Sequence, residues 1–283
     1  MNAKTLSAAE KAALAPREYR LMVRRGEWPI DEGSEYCCQG YSQHAVIIVP
    51  QDYAFEFLTF CVRNPRGCYV SDICDAGSPH PMLLAPEGDV RTDLNRYRVY
   101  KDGEVVDEPR DVMKYWRDDL VSFLLPCSYG FEWALRKYNV KFRYMGCFTT
   151  NLSAIPAGRF RTEHMIVTCR LFKTNRDAVR AIQITSRLPV SHGSPVCIGD
   201  PARIGIKDIY HPDVWSPLPR GVEHAPQEPN EVALSWICAL TPENAIKAAK
   251  PPLAIMQYPA MLFVSDHLTE EFAYTEEIAS NLV

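Results

Sequence analysis

The stretch HAVIIVPQDYAFEFLTFCVRNPRGCYVSDICD (residues 44–75) decides the fold class of this chain. Residues 44–49 are a short apolar run ended by Pro50, which is typical of a buried strand. Residues 52–62 keep an apolar helical spacing, and residues 68–75 form the next predicted strand. Strand, helix and strand at this spacing predict a βαβ unit, so this part of the sheet is expected to be parallel.

The rest of the chain also alternates between helices and strands. Asp102-Gly103 predicts a two-residue hairpin turn within residues 96–106. The alternation predicts the α/β class, with a three-layer α/β/α core from residues 1–90 and 190–283 and a smaller two-layer α+β domain inserted at 91–189. Helices are predicted at 109–125, 129–138, 174–187 and 242–249, and strands at 141–144, 165–172, 232–238, 253–257 and 261–265.

Residues 201–230 contain six prolines, and no regular element fits there. A loop of this length inside a compact domain is usually a lid, a binding loop or an interface segment. As an interface segment it would join copies of the chain, so a homo-oligomer is one partner that the sequence allows.

Composition excludes several classes of protein. The chain has 283 residues, 47% of them hydrophobic and 23% charged, which is typical of a soluble globular protein. A formal net charge of −4, without basic runs, predicts no nucleic-acid partner. No apolar run is long enough for a membrane helix, and the N-terminus lacks a signal-peptide core, so we expect no membrane contact and a cytoplasmic location.

The ten cysteines include no C-x-x-C pair, and their neighbours are mostly apolar. In a cytoplasmic chain this pattern predicts reduced, largely buried thiols. The spacing of metal ligands is missing, and there is no nucleotide-binding motif, so we predict neither a metal site nor a cofactor.

The loop LPVSHGSPVCIGDP (188–201) concentrates polar residues between prolines and glycines. His192 is a candidate acid or base because its ordinary pKa lies near neutrality. Asp200 could orient it or bind a substrate amine, and Ser194 could bind substrate. Alternatively, His192 ties loop carbonyls together and Asp200 makes a local turn.

A second candidate block is CSYGFE (127–132), at the predicted start of a helix. Ser128 could cap the helix, with Glu132 as its capping-box partner, and the same free backbone donors could bind a carboxylate. Cys127 is a candidate low-pKa thiolate there, although a buried inert thiol is the simpler interpretation.

Four further polar residues lie near predicted element ends. Arg159 could clamp a carboxylate with two hydrogen bonds or could make a surface ion pair. With Asn151 it lies in a turn-rich block, and we predict that this block, the 188–201 loop and residues 127–132 line one pocket. Gln43 precedes the first strand and Asp266 follows the last, where substrate-binding side chains often stand in α/β sheets.

Blocks along most of the chain resemble the bacterial hydro-lyase family of D-glutamate cyclase-like proteins. They are GYSQHAVIIVPQDYAFEFLTFCVRNPRGC (40–68), RTDLNRYRVYKDGE (91–104), WRDDLVSFLLPCSYGFEWAL (116–135), PAGRF (156–160), QITSRLPVSHGSPVCIGDP (183–201) and PLAIMQYPAMLFVSD (252–266). The chain departs from the family pattern at Cys197, where we expect His, and at Ala260-Met261, where we expect Gly-His.

The resemblance implies a lyase that removes water from an acidic amino acid, closing its amine on the side-chain carboxyl. Such a reaction needs a carboxylate clamp, a base for the ammonium and an acid for the departing oxygen. Arg159 and the 127–132 helix start would form the clamp, and His192 and Asp200 would transfer protons. Because of Cys197 and Met261, the rival interpretation is a non-catalytic binding protein for a small carboxylic acid.

Overall fold

The computed structural model describes residues 5–219 and 221–273. Within them the helices are α1 (Ala8–Ala13), α2 (Pro16–Arg24), α3 (Gln51–Arg63), α4 (Pro65–Cys68), α5 (Tyr129–Lys137), α6 (Asn175–Ser186) and α7 (Thr241–Ala249). The strands are β1 (Tyr41–Pro50), β2 (Asp72–Ile73), β3 (Tyr97–Lys101), β4 (Glu104–Asp107), β5 (Leu120–Pro126), β6 (Phe142–Thr149), β7 (Ile166–Phe172), β8 (Cys197–Ile198), β9 (Val232–Ile237), β10 (Ala254–Gln257) and β11 (Phe263–Leu268).

The strands form two sheets, and every strand pair in the described ranges is antiparallel. The larger sheet has the order β2-β5-β1-β10-β3-β4, with β11 also paired to β1. The smaller sheet has the order β6-β7-β9-β8. Helices and sheets in one chain confirm the predicted α/β class.

The predicted parallel sheet at residues 44–75 is wrong. Strand β1 and helix α3 form as expected, but β2 is only two residues long and does not pair with β1. Strand β5 lies between them and is antiparallel to both, so β1 and β2 run in the same direction without sharing a hydrogen bond. A strand–helix–strand unit fixes the direction of its strands, whereas a distant segment can still insert between them.

The predicted helix at 109–125 is also wrong, because no α-helix forms in this range. Its last residues belong to β5, and Met113–Tyr115 form only a short 3₁₀ turn. All seven residues of β5 are buried, because the strand lies between two neighbours and both of its faces are covered. An apolar run without alternation does not distinguish a buried strand from a buried helix.

Several local predictions are confirmed. Asp102 and Gly103 both have positive φ, as the hairpin between β3 and β4 requires. The Thr174 hydroxyl accepts a hydrogen bond from the Asp177 backbone and starts α6. Residues 201–219 and 221–230 of the proline-rich segment are irregular except for a 3₁₀ turn at their start and an isolated bridge from Trp215 to Cys147.

One hydrophobic core joins the two sheets. Alternate residues of β1, including Ile47 and Val49, pack there with α3 rings and with β7 residues such as Val167. On the opposite face of the smaller sheet, α5 and α6 pack against β7 and β9 through Phe131 and Trp236. Helix α5 also contacts β1, so its first turn lies where the two sheets meet.

The predicted division into domains is not decided by sheet membership. Strands β3 to β5 fall within residues 91–189 but belong to the larger sheet, together with β1 and β10. A sheet can be shared between domains, so the boundaries at 91–189 and the three-layer core stay predictions.

Candidate active site between strand β7 and helix α5

The guanidinium of Arg170, in the middle of β7, is completely buried. Its Nε donates to Glu132 Oε1 at 2.9 Å, its Nη1 to Thr168 Oγ1 at 3.0 Å and its Nη2 to Ser128 Oγ at 2.9 Å. The rings of Phe131 and Tyr144 lie 4.7 and 4.5 Å from its central carbon. A buried charge needs an opposite charge and saturated hydrogen bonds, and Arg170 has both.

Local geometry explains why these groups meet. Thr168 and Arg170 are two residues apart on β7, so both side chains leave the same face of the sheet. Ser128 and Glu132 are four residues apart around the start of α5, so both face that sheet. The second oxygen of Glu132 accepts from Arg136 Nη2 at 3.1 Å. Helix and strand spacing therefore build one buried polar cluster, in which Arg170 and Arg136 share the carboxylate of Glu132.

The hydrogen bonds that leave Arg170 have a fixed direction. An arginine can only donate, so Thr168 Oγ1 accepts from it and its own proton goes to Tyr144 Oη, 3.2 Å away. The Tyr144 hydroxyl accepts from Thr168, and its proton can go to Cys147 Sγ at 3.4 Å. A shift of register in β6 between Tyr144 and Gly146 brings Cys147 to this side. The chain of donors thus ends on the Cys147 sulfur.

Cys147 lies at a small cavity where the two sheets approach each other. The enclosed interior has a volume of about 20 Å³, enough for one or two water molecules. The whole recess, including the part that is open to solvent, has a volume of about 360 Å³. It is lined by Ala45, Cys127, Ser128, Tyr129, Tyr144, Cys147, Trp215, Cys238, Ala239, Leu240, Gln257, Ala260 and Leu262.

Three of the lining side chains are thiols with different proton affinities. Burial raises the pKa of Cys127 to about 11. Cys147 and Cys238 have their sulfurs 3.9 Å apart. A hydrogen bond from Cys238 lowers the pKa of Cys147, with help from the Tyr144 hydroxyl and the Arg170 charge, and the same contact raises the pKa of Cys238. The cavity therefore holds one acidic thiol among weaker acids.

Gln257 supplies an oriented donor to the same cavity. Its Oε1 accepts from the Val46 backbone N–H at 3.0 Å, and a backbone N–H can only donate, so the NH₂ group must occupy the other position. Gln257 is 2% exposed, and its NH₂ group makes no hydrogen bond with any residue of the described ranges. Gln257 lines the cavity, so a donor that faces it is available to a bound molecule.

The matching family model is that of D-glutamate cyclase, over residues 121–266, which is more than half of the chain. This chain belongs to the D-glutamate cyclase family. Relatives are proteins named putative hydro-lyase from Bradyrhizobium diazoefficiens, 42% identical over 89% of this chain and 91% of theirs, and from Geobacillus kaustophilus, 38% identical over 92% and 97%. Another from Streptomyces coelicolor is 40% identical over 92% of this chain and 91% of its own. Every residue that lines the cavity except Ala45 lies in the matched range.

Of the predicted D-glutamate cyclase site residues, the structure brings Cys127, Ser128 and Glu132 together around this cavity and the Arg170 cluster. Their predicted capping arrangement is wrong. Ser128 has a helical backbone conformation and makes no side-chain capping bond, because its oxygen accepts from Arg170 instead. Its hydroxyl proton is consequently free to point towards Cys127 Sγ, 3.9 Å away, or into the cavity.

The 188–201 loop uses its polar groups to hold itself in place. His192 is buried, with Nδ1 bonded to the Arg66 carbonyl at 2.9 Å and Nε2 without a partner, and burial lowers its pKa to about 4. Asp200 is exposed and caps a 3₁₀ turn through the Ala202 N–H. Ser194 bonds to Ser186 at 2.8 Å. These contacts match the structural interpretation of the loop, and the catalytic roles stay predictions.

The other predicted site residues lie apart. Arg159 pairs with Glu56 at 3.0 Å and stacks on a tyrosine ring. Gln43 Nε2 donates to two nearby carbonyls, and Asp266 pairs with Arg20 at 2.9 Å. Asn151 lines a separate cleft of about 460 Å³ that also includes His164 and Asp208.

Sequence analysis missed Arg170, Tyr144, Cys147, Cys238 and Gln257. One signal was present, because Arg170 is the single charge in the apolar strand MIVTCRLF (165–172). The described cysteines are all free, and nine of the ten are buried, as predicted. Within the described ranges no cluster of three or more His, Cys, Asp or Glu side chains is arranged to hold a metal ion. No helix there is both long and apolar enough to cross a membrane.

Proposed function

We propose that this chain is a hydro-lyase that closes an acidic amino acid such as D-glutamate to 5-oxoproline, with the reaction taking place at the cavity between α5 and β7. The observation that carries the proposal is the position of this cavity. It is lined by the amide of Gln257, the hydroxyl of Ser128 and the acidic thiol of Cys147, and all of them lie in the range that matches the D-glutamate cyclase family.

The reaction requires polarisation of the side-chain carboxyl that the amine attacks. The Gln257 NH₂ group and the Ser128 hydroxyl are donors held in place by Val46 and Arg170. Preorganised donors in a site without bulk water stabilise the negative oxygen that develops in the transition state. These two side chains therefore serve as the oxyanion-stabilising pair in our proposal.

Entry of an amino acid requires more space than the interior now offers. Trp215, from the proline-rich segment, forms one wall, with its ring 5.6 Å from that of Tyr144. Its carbonyl accepts from Cys147 N at 2.8 Å, and the lack of a side chain at Gly146 permits this approach. In the proposed reaction cycle Trp215 moves outward to admit the substrate. Segment 201–230 would then act as a binding loop, which is one of the roles predicted for it from the sequence.

A non-catalytic acid-binding protein is the second candidate, and one observation favours it. Arg170 is already paired with Glu132, so it is not available as an unpaired cation to bind the substrate carboxylate. The family departures do not support this candidate directly. The Cys197 thiol donates to the Asp200 carbonyl at 3.4 Å, Met261 is buried with its sulfur 3.7 Å from Asn95 Nδ2, and neither lines the cavity.

The test is incubation of the purified protein with D- and L-glutamate, with 5-oxoproline detected by NMR. We expect turnover of one enantiomer. Gln257→Leu should lower kcat by roughly 100- to 1,000-fold, as loss of an oxyanion donor does, and Lys207→Ala in the separate cleft is the control. Binding of glutamate without product would favour the binding protein, and neither binding nor product would refute both candidates.

A further inference from the structure

We propose that Cys147 is a thiolate in the resting protein and is the group that takes the proton from the substrate ammonium. The identity of the substrate rests on the proposed function. The charge of Cys147 rests on its own hydrogen bonds and neighbours, which do not depend on the substrate. No feature of the sequence singled out this cysteine, and it becomes a candidate only through its neighbours in the fold.

The hydrogen bonds that start at Arg170 run in one direction, towards Cys147. Arg170 cannot lose a proton, so Thr168 accepts from it and donates to Tyr144, whose own proton can then go to the Cys147 sulfur. The sequence of donors runs from Arg170 through Thr168 and Tyr144 to the Cys147 sulfur, with steps of 3.0, 3.2 and 3.4 Å. A sulfur that only receives hydrogen bonds is stabilised in its negative form.

Several charged and titratable groups surround the Cys147 sulfur. None of them is a free carboxylate, because Glu132 is paired with Arg170 behind the hydroxyl chain. The groups that face Cys147 from each packed element are Tyr144 on β6, Arg170 on β7, Cys238 after β9 and Cys127 before α5. The sum of these contacts favours a proton leaving Cys147 rather than Cys127 or Cys238.

The Cys147 sulfur lies at the same cavity as the donors that would hold the substrate. Cys147 and Gln257 line the same cavity, so a molecule whose carboxyl oxygen reaches the Gln257 NH₂ group also lies beside the thiolate. An ammonium group beside a thiolate is attracted to it and can pass its proton to it. The cavity thus offers a donor for the carboxyl oxygen and a base for the ammonium.

The proposed step balances as follows. The thiolate takes one ammonium proton, the amine lone pair forms the new C–N bond, and the carbonyl π pair moves to oxygen. When the tetrahedral intermediate collapses, the C–O bond to the departing oxygen breaks. That oxygen receives the proton held by Cys147 and the second proton from nitrogen, and it leaves as water. Cys147 returns to the thiolate, and no oxidant or reductant is consumed.

The first experiment titrates the thiolate directly through its absorbance near 240 nm in the native protein between pH 6 and pH 9. We expect a one-thiolate step with a midpoint below the ordinary value of about 8.5. Cys147→Ser should remove this step, Tyr144→Phe should move it to higher pH, and Cys74→Ser should leave it unchanged. Cys74 is a suitable control because it is buried elsewhere and its pKa is raised to about 12 by burial.

The second experiment measures glutamate turnover by the same proteins. We expect Cys147→Ser to lower kcat by ~100- to 10,000-fold with little change in KM. The rising limb of the pH profile should follow the thiolate midpoint and shift with it in Tyr144→Phe, which keeps the ring and removes only the hydroxyl, so it tests the same dependence independently of the serine variant.

The outcomes separate the two proposals. A wild-type protein whose thiolate absorbance does not exceed that of Cys147→Ser anywhere between pH 6 and pH 9 overturns the thiolate. Turnover that is retained in Cys147→Ser overturns the role of Cys147 and leaves the cyclase function intact. If the wild type neither binds nor converts glutamate, the cyclase proposal and the acid–base role both fail, while the titration still decides the charge of Cys147.

Discussion

The 188–201 loop and the β7–α5 cluster are both rich in polar groups, but they use them differently. In the loop, His192, Ser194 and Asp200 bond to nearby backbone or side chains and hold the loop in position. In the cluster, Arg170 and its partners are assembled from segments far apart in the sequence and lead to a cavity. A dense polar motif can thus be structural, whereas a single buried charge in a strand can organise a site.

The physical difference is the cost of burial. Ser194 and Asp200 of the loop can bond to water, so their local hydrogen bonds need no functional explanation, and His192, which is buried, is held there as a neutral ring. A buried guanidinium requires a carboxylate and several acceptors, and the fold has to supply them. The following predictions test this contrast, beginning with the largest expected effect.

Removal of the buried charge should destabilise the protein most. Arg170→Met leaves the Glu132 carboxylate buried with only Arg136 as a partner, so we expect the free energy of unfolding to fall by about 3–5 kcal/mol. Urea denaturation followed by circular dichroism measures this. Arg170→Met with Glu132→Leu should recover most of the loss, because neither charge then remains unpaired.

The matched control is Arg159→Met, which breaks a partly exposed ion pair with Glu56. Such pairs contribute about 1 kcal/mol or less. If Arg170→Met cost no more than this control, the cluster would not be the energetically distinct region that we describe.

The loop histidine should affect stability through pH. Burial holds the pKa of His192 at about 4, below its usual 6.5, so the unfolded chain binds the proton more readily. The neutral ring therefore stabilises the fold above pH 6.5, and this contribution of about 3 kcal/mol is lost as the pH falls to 4. Buried His44, with its pKa lowered to about 3, adds to the loss in the wild type.

His192→Asn should consequently make stability less dependent on pH between 7.5 and 4.5, as measured by urea denaturation. Asparagine is suitable because it tolerates the left-handed backbone at this position, where φ is 73°. We also expect turnover to survive the substitution. A 100-fold loss of kcat in a folded His192→Asn protein would return the acid–base chemistry to the loop.

The smallest effect is expected at Asp200. Asp200→Ala removes the cap of a four-residue 3₁₀ turn and should cost about 1 kcal/mol, seen as a small decrease in Tm. Asp200→Asn keeps the capping oxygen and should behave like the wild type in stability and turnover. Loss of turnover in the asparagine variant would show that the carboxylate has a chemical role.

Much of the local structure was predictable from the sequence by itself. The apolar run of β1, the Asp102-Gly103 hairpin and the Thr174 cap each depend on residues within a few positions of one another. Local periodicity, turn chemistry and capping act over this range, so they are readable without a structure. The family resemblance was readable for a similar reason, since its motifs are contiguous blocks.

Only the tertiary structure decided which strands are neighbours and which polar groups meet. The apolar run of β5 fits a helix or a strand equally well until β1 and β2 cover its two edges. Likewise, Arg170 bonds to Glu132 across 38 residues of sequence, and Cys147 reaches the cavity only through a register shift in β6. Such contacts depend on the pairing of distant segments, and the free energy that selects that pairing comes from burial in the whole fold.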